Sequence, residues 1–196
     1  ARNPELVINF YNERRKQLLD VVPNAGHLGV ADLERDFNVT VVTQNVDNLH
    51  ERAGSTHVIH LHGELTKVCS SRDPYNPHFV KELAPEEYEV KLGDKAGDGT
   101  QLRPFIVWFG ESVPEIETAI RYVEQADIFV IIGTSLNVYP AAGLLNYVPR
   151  AAEVYLIDPK PVDTHVMRPI HVIQKGASEG VKELKALLAA TQPPLP

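Results

Sequence analysis

The sequence has few of the features that mark secreted, membrane-spanning or nucleic-acid-binding proteins. It contains one cysteine, so an intramolecular disulfide is impossible, and no apolar run approaches the roughly 20 residues of a membrane-spanning helix. Its formal net charge of −7 argues against nonspecific nucleic-acid binding, which needs a basic surface. We therefore expect a cytoplasmic protein with neither a nucleic-acid partner nor a membrane partner.

Apolar runs of strand type alternate with helical segments along most of the chain. Buried strands are predicted at residues 39–43, in the centre of 102–111, from 127 onward and at 153–157. Residues 4–20 fit one helix or two short ones equally well. This alternation predicts an α/β fold with a Rossmann-like, doubly wound parallel sheet and a small satellite module. Ligands of such sheets bind at the carboxyl ends of the strands.

Polar side chains follow the first predicted strand, in the run T-Q-N-V-D-N-L-H that starts at Thr43. Gln44, Asn45 and Asp47 are therefore placed to face a small molecule. The later run H-L-H-G-E adds His62, whose imidazole can move protons near neutral pH, and Gly63, which permits a close backbone approach. A strand-to-helix junction with a core histidine would account for any one of these residues taken singly.

Ligand-type residues also follow two later strands and precede the last helix. Gly133, Thr134 and Ser135 form a small-residue loop that could cradle a phosphate. Asp158 comes directly after the strand at 153–157, where a carboxylate can accept bonds from ribose hydroxyls. The turn that contains Ala177 precedes the last helix and could contact a ligand through its backbone.

Taken jointly, T-Q-N-V-D-N-L-H-E-R-A-G, H-L-H-G-E and G-T-S-L-x-V-x-P-A resemble the sirtuins, the NAD-dependent protein lysine deacylases. The resemblance implies that NAD is consumed and that acyl-lysine proteins or peptides are the substrates. It makes His62 the general base on a ribose hydroxyl and gives Asn45 the task of orienting ribose and water. It implies NAD contacts from Gln44, Asn45, Val46, Asp47, Gly133, Thr134, Ser135, Asp158 and Ala177. The family usually has asparagine where this chain has Asp158, which keeps an acceptor and loses a donor.

Two further segments resemble sirtuin substrate sites. The residues Val107, Trp108 and Phe109 correspond to the segment that pairs with the peptide and lines the lysine tunnel, although an aromatic core strand would look alike. Tyr11 and Arg14 match the Y-x-x-R motif of the branch that removes succinyl and malonyl groups, so acetyl is expected to be the poorer substrate. The alternative makes Arg14 part of a solvated basic face.

The resemblance divides the chain into a helical part of the small lobe (1–22), two parts of an NAD-binding domain (23–64 and 103–196) and a small inserted module (65–102). Sirtuins commonly place a zinc ribbon of two C-x-x-C pairs in that module. Here Cys69 stands alone, so we expect no zinc.

A sirtuin begins with a strand, a G-A-G-x-S phosphate loop and a D-F-R segment, and residues 1–196 contain none of these. We therefore expect a truncated or partly represented protein that binds NAD weakly as residues 1–196 alone. Two other functions stay open at this point. One is a non-catalytic module that binds NAD or ADP-ribose, and the other is ADP-ribosyl transfer to a protein side chain.

Overall fold

The computed structural model describes residues 3–134, 141–161 and 168–191. The α-helices of these ranges are α1 (Pro4–Asp20), α2 (Ala25–Asp32), α3 (Leu49–Ala53), α4 (Ile116–Val123) and α5 (Ala177–Thr191). The strands are β1 (Val41–Thr43), β2 (Val58–His60), β3 (Gly63–Ser70), β4 (Lys81–Glu82), β5 (Leu102–Ile106), β6 (Ile128–Ile132), β7 (Glu153–Ile157) and β8 (His171–Ile173). Short 3₁₀ segments occur at Leu33–Arg35, Pro77–Phe79, Pro85–Glu87 and Ala141–Tyr147. None of the helices in the described ranges is long and apolar enough to cross a membrane.

The chain divides into two compact units. The first comprises the described residues of Ala1–Val22, Thr43–Asn48 and His60–Ser112. The second comprises those of Pro23–Val42, Leu49–Ile59 and Val113–Pro196. The predicted inserted module, 65–102, falls within the first unit, and its boundaries stay a prediction.

One continuous helix, α1, accounts for the segment that fitted one helix or two. The Asn3 side chain caps it by accepting a bond of 3.1 Å from the Leu6 N–H, and Pro4 occupies the first turn. The polar run in its middle does not break the helix because Asn12 and Arg15 are buried. Both side chains are hydrogen-bonded, as buried polar groups need to be.

The sheet of the first unit is antiparallel, with the strand order β4-β3-β5. Its register pairs Gly63 with Ile106 and Ser70 with Leu102, and it shifts at an irregularity between Glu64 and Val68. Strand β3 was not predicted from the sequence. The irregularity explains this, because it interrupts the alternation of buried and exposed positions by which a strand is recognised.

The second unit contains the parallel sheet β6-β7-β8, in which residues Ile128–Ile132 run beside Glu153–Ile157. Helices α2 and α5 cover it, and the core that results consists of Val30, Leu33, Tyr155, Ile157, Ile173, Val181, Leu184 and Leu188. Parallel strands covered by helices confirm the predicted Rossmann-like α/β class. Strands β1 and β2 form a two-stranded sheet, and β1 is shorter than the predicted strand 39–43.

Candidate active site

His62 occupies the short connection between β2 and β3 in the first unit. Its Nδ1 lies 3.1 Å from the backbone carbonyl oxygen of Gln44. A carbonyl oxygen can only accept a hydrogen bond, so Nδ1 must carry the proton of this contact. In that tautomer Nε2 is the nitrogen that can accept a proton. The contact therefore orients the ring as a base.

The backbone on either side of His62 is tied to the strand β5. Gly63 has a φ of +81°, and a Cβ added there would lie 2.1 Å from the carbonyl oxygen of Phe105. Only glycine fits such a position without displacing the backbone. The Val107 N–H donates to the His62 carbonyl at 3.0 Å. The predicted base and the predicted substrate segment are thus joined by a main-chain hydrogen bond.

The turn after β1 presents the polar residues of the T-Q-N-V-D run. The Thr43 hydroxyl is buried and accepts a bond of 3.0 Å from the Asn45 N–H. The Val46 carbonyl accepts from the Leu65 N–H at 2.7 Å. Asn45 is exposed, while Gln44 and Asp47 are half-buried. The structure therefore holds this turn against β3 and brings Gln44 to His62.

The residues of the predicted substrate segment, Val107–Phe109, differ in their exposure to solvent. Val107 and Trp108 are half-buried, and Phe109 is fully exposed. The indole Nε1–H of Trp108 donates to the hydroxyl oxygen of Tyr11 at 3.0 Å. Two residues that were singled out from separate motifs are therefore in direct contact.

Arg14 lies on the exposed side of α1, one helical turn from Tyr11. Its Nη1 donates to the Gln17 side chain at 3.0 Å, and its guanidinium carbon lies 5.2 Å from the centre of the Phe10 ring. In these two contacts with described residues, the Arg14 guanidinium meets an amide and an aromatic face, and neither supplies a carboxylate to its positive charge.

In the second unit, the small-residue loop begins at Gly133, directly after β6. Its φ is +61°, and its N–H donates to the Ile157 carbonyl at 2.9 Å. Among the residues that the structure describes, none apart from its two chain neighbours has an atom within 4 Å of a Cβ added at Gly133. Thr134 is half-buried, and Ser135 lies outside the described residues.

Asp158 and Ala177 follow the next two strands of the same parallel sheet. The Asp158 N–H donates to the Ile173 carbonyl at 3.3 Å, and its side chain accepts a bond of 2.8 Å from the Lys160 N–H. Ala177 is the first residue of α5. Because adjacent parallel strands end at one edge, Gly133, Asp158 and the turn before Ala177 lie along that edge, where ligands of such sheets bind.

Comparison with known families decides the lineage of the chain. Residues 1–140 match the model of the Sir2 family. The chain belongs to the Sir2 family. The prediction of a sirtuin, which rested on the three sequence runs, is confirmed.

Among relatives of this sirtuin, an NAD-dependent protein deacylase from Bacteroides thetaiotaomicron is 83% identical over 187 residues, which are 95% of this chain and 80% of the relative. A crystal structure of a Sir2 homologue in complex with NAD matches with a TM-score of 0.81 and 36% identity, and the match covers 98% of this chain and 75% of that one. A structure of Sir2 with a p53 peptide and NAD⁺ matches with a TM-score of 0.71 and 27% identity, over 89% of this chain and 74% of that one.

The segment in which sirtuins commonly hold zinc is organised by other contacts in this chain. Cys69 is fully buried, its Sγ lies 3.7 Å from the Pro104 carbonyl, and burial raises the pKa of its thiol to about 11. The Ser70 hydroxyl donates to Asp98 at 2.6 Å, and Asp98 also accepts from the N–H and hydroxyl of Thr100. Within residues 3–134, 141–161 and 168–191 no group of three or more potential ligands surrounds a metal position. Independence of zinc stays a prediction.

Sequence reasoning missed two residues that hold the predicted substrate segment of this sirtuin. Arg103 is buried in β5 and forms two hydrogen bonds with Glu111, of 2.7 and 3.0 Å. The bonds from Arg103 are the main reason that the pKa of the Glu111 carboxyl is lowered. The one signal in the sequence was the position of Arg103 beside a predicted buried strand, since a charge that becomes buried there requires a partner.

Proposed function

We propose that this chain carries the catalytic machinery of an NAD-dependent protein lysine deacylase that prefers acidic acyl groups such as succinyl and malonyl. The substrates are acyl-lysine proteins or peptides, and the products are nicotinamide, the free lysine and O-acyl-ADP-ribose. The observation that carries the proposal is the hydrogen bond of His62 Nδ1 to Gln44, which leaves Nε2 to act as the base. The 83% identical deacylase from Bacteroides thetaiotaomicron supports it.

The loop at Gly133 would bind the phosphates of NAD. Its positive φ and its lack of a side chain would allow the backbone to approach an anion closely. Thr134 and Ser135 would donate hydroxyl bonds, Asp158 would accept from a ribose hydroxyl, and the Ala177 backbone would contact the adenine. NAD supplies the electrophilic ribose carbon from which nicotinamide departs.

The residues around His62 would act on the ribose that bears nicotinamide. Gln44 would hold that ribose, Asn45 would orient it together with the water, and Val46 and Asp47 would contact the nicotinamide carboxamide. His62 Nε2 would take the proton of a ribose hydroxyl, and its Nδ1–H would stay bonded to Gln44. Asn45 is exposed at its turn, which suits a residue that must reach a ligand.

The segment Val107–Phe109 would receive the peptide. Its first N–H is bonded to the His62 carbonyl, so a peptide strand added here comes to the residue that bears the base. The exposed Phe109 side chain offers an apolar surface to the substrate, because burying it would remove apolar area from water.

Tyr11 and Arg14 would bind the carboxylate at the end of a succinyl or malonyl group. A guanidinium presents a planar fork that matches a carboxylate, and Arg14 has an exposed one. The Tyr11 oxygen accepts a bond from Trp108, and a phenol that accepts one bond can still donate its own proton. An acetyl group has no carboxylate to engage either residue.

The first experiment measures nicotinamide release from an acyl-lysine peptide by the full-length protein. His62→Ala should lower the rate by about 10²–10⁴-fold, the usual contribution of a general base. His78→Ala is the matched control, because His78 is exposed and belongs to the same unit. Near-wild-type turnover in His62→Ala would contradict the proposed mechanism.

Mass spectrometry of the same reaction separates the three possible functions. A deacylase forms O-acyl-ADP-ribose, an ADP-ribosyltransferase forms a protein adduct heavier by one ADP-ribose, and a binding module forms neither product.

The second experiment compares kcat/KM for succinyl-lysine and acetyl-lysine peptides. Arg14→Met should lower the value for the succinyl peptide by roughly ten- to hundredfold, since a charge-assisted bond is worth about 1.5–3 kcal/mol. The acetyl peptide should be affected far less. Lys16→Met removes a positive charge two residues away on the exposed side of α1 and serves as control. Equal losses on both peptides in Arg14→Met would rule out acyl selection by this residue.

A further inference from the structure

Arg103 is a buried cation whose guanidinium is bonded to residues on both sides of the predicted substrate segment Val107–Phe109. Its Nη1 and Nη2 bind the two oxygens of Glu111 at 2.7 and 3.0 Å, and Nη2 also donates to the Ile106 carbonyl at 2.7 Å. The guanidinium carbon lies 3.6 Å from the centre of the Trp108 ring. A fork-to-fork pair of this kind fixes both partners in one plane, and the aromatic face adds a cation–π attraction.

Glu111 holds the backbone of Trp108 in addition to pairing with Arg103. Its Oε2 accepts the Trp108 N–H at 2.9 Å, and its own N–H donates to the Trp108 carbonyl at 3.0 Å. The residues 108–111 therefore form a closed turn. The Arg103–Glu111 ion pair thus restrains Trp108 at two places, because Glu111 binds its backbone and Arg103 lies against its ring.

The restrained ring in turn contacts the helix that carries the proposed acyl-binding residues. The Trp108 Nε1–H donates to the Tyr11 hydroxyl oxygen at 3.0 Å. A hydroxyl that accepts from one direction is biased to donate in another, so the indole sets the direction in which the Tyr11 proton points. The ion pair, Trp108 and Tyr11 form one connected network within the first unit.

We propose that Arg103 and Glu111 are positioning residues that set the acyl selectivity of the enzyme by fixing Trp108 and, through it, the hydroxyl of Tyr11. The inference rests on the proposed function. Its alternative is that the ion pair only stabilises the turn, in which case loosening it would affect all acyl groups alike. Neither residue of the pair contacts the acyl group in this scheme, since both act through the indole.

Two variants loosen the network with little change of volume. Arg103→Lys keeps the positive charge and removes both the fork and the planar group over the ring. Glu111→Gln keeps an acceptor for the Trp108 N–H and removes the negative charge. Glu87→Gln is the matched control, because it makes the same change in an exposed ion pair with Lys81 of the same unit, at 3.3 Å.

The decisive quantity is the ratio of kcat/KM for succinyl-lysine and acetyl-lysine peptides, measured with the full-length protein. We expect Arg103→Lys to lower this ratio about tenfold, mainly because the KM of the succinyl peptide rises. A tenfold change corresponds to the loss of about one favourable hydrogen bond. Glu111→Gln should lower it in the same direction, and Glu87→Gln should leave it unchanged. If Arg103→Lys does not fold, Glu111→Gln decides alone.

A second readout needs no substrate. Trp108 is the single tryptophan of residues 1–196, so the fluorescence of this chain reports the site. Acrylamide should quench it more strongly in both variants than in the wild type and the Glu87→Gln protein, because the ring is less restrained.

The possible failures are distinguishable. A wild-type protein that releases no nicotinamide from either peptide would refute the proposed function and this inference with it. Active variants whose ratio stays at the wild-type value would overturn the inference and leave the deacylase function intact.

Discussion

The strongest test of how the first unit is held together is the replacement Asn12→Leu. The Asn12 amide donates to the Val90 carbonyl at 2.8 Å and accepts from the Val90 N–H at 3.0 Å. It also accepts a bond of 2.7 Å from Arg15, which in turn donates to the Leu65 carbonyl at 2.8 Å. Leucine has a similar volume and can make none of these bonds.

The expected loss follows from the groups left without partners. An unsatisfied buried donor or acceptor costs about 1–3 kcal/mol, so the two backbone groups of Val90 predict a loss of about 2–6 kcal/mol in the free energy of unfolding. The loss is a large fraction of the total, since domains are stable by about 5–15 kcal/mol. Burial already lowers the pKa of Arg15 to about 10, so losing a partner is costly for that cation as well.

Urea unfolding followed by the fluorescence of Trp108 measures this loss in the unit concerned. Asn76→Leu is the control, because Asn76 makes two side-chain bonds only to its neighbours Asp73 and His78, at exposed positions. It should cost about 1 kcal/mol, as the loss of a helix cap does. An Asn12→Leu protein that loses no more than the control would show that the buried bonds to Val90 contribute little.

Two further predictions concern the backbone and pH. Gly63→Ala should destabilise the protein more than Gly93→Ala in urea unfolding. Both glycines have positive φ, which costs alanine roughly 1–2 kcal/mol, but only at Gly63 would the added Cβ lie 2.1 Å from the Phe105 carbonyl oxygen. Similar losses in the two variants would show that the backbone shifts to accommodate the Cβ at Gly63. The hydrogen bond from Ser70 is the main cause that lowers the pKa of Asp98 from 3.8 to about 2. A depressed folded-state pKa stabilises above the unfolded value, so this contribution should be complete above pH 4 and lost as the pH falls toward 2; an Asp98→Asn protein with the same dependence of unfolding free energy on pH would contradict it.

Helix α1 and the parallel strands β6 and β7 were predictable because their signals are local. The Asn3–Pro4 pair marks the start of α1, and β7 coincides with the predicted strand at 153–157. Strand β3 was not predictable, since an irregularity disrupts its alternation and its pairing with β5 joins residues more than thirty positions apart. Local reading cannot detect such pairing.

The sequence likewise does not show which side chains of α1 are buried. Arg15 stands between Arg14 and Lys16 and looks like part of a solvated basic face, yet it is buried and bonded to the Leu65 carbonyl while its two neighbours are exposed. Which of three adjacent cations faces inward depends on the carbonyl groups brought by distant segments. The motif residues His62 and Gln44 could be selected because the family runs mark them, whereas Arg103 and Glu111 have a role only through contacts that folding creates.

Helix α1 is hydrogen-bonded to the segment between β3 and β5, which contains no ligand-type motif. Asn12 is bonded to Val90 and Arg15 to the Tyr88 carbonyl, and the same helix carries Tyr11 and Arg14. These hydrogen bonds fix the position and rotation of α1 relative to the segment around Val90. On the proposed function, a substitution in this stretch would displace Tyr11 and Arg14 together and change the acyl preference without altering either of those residues.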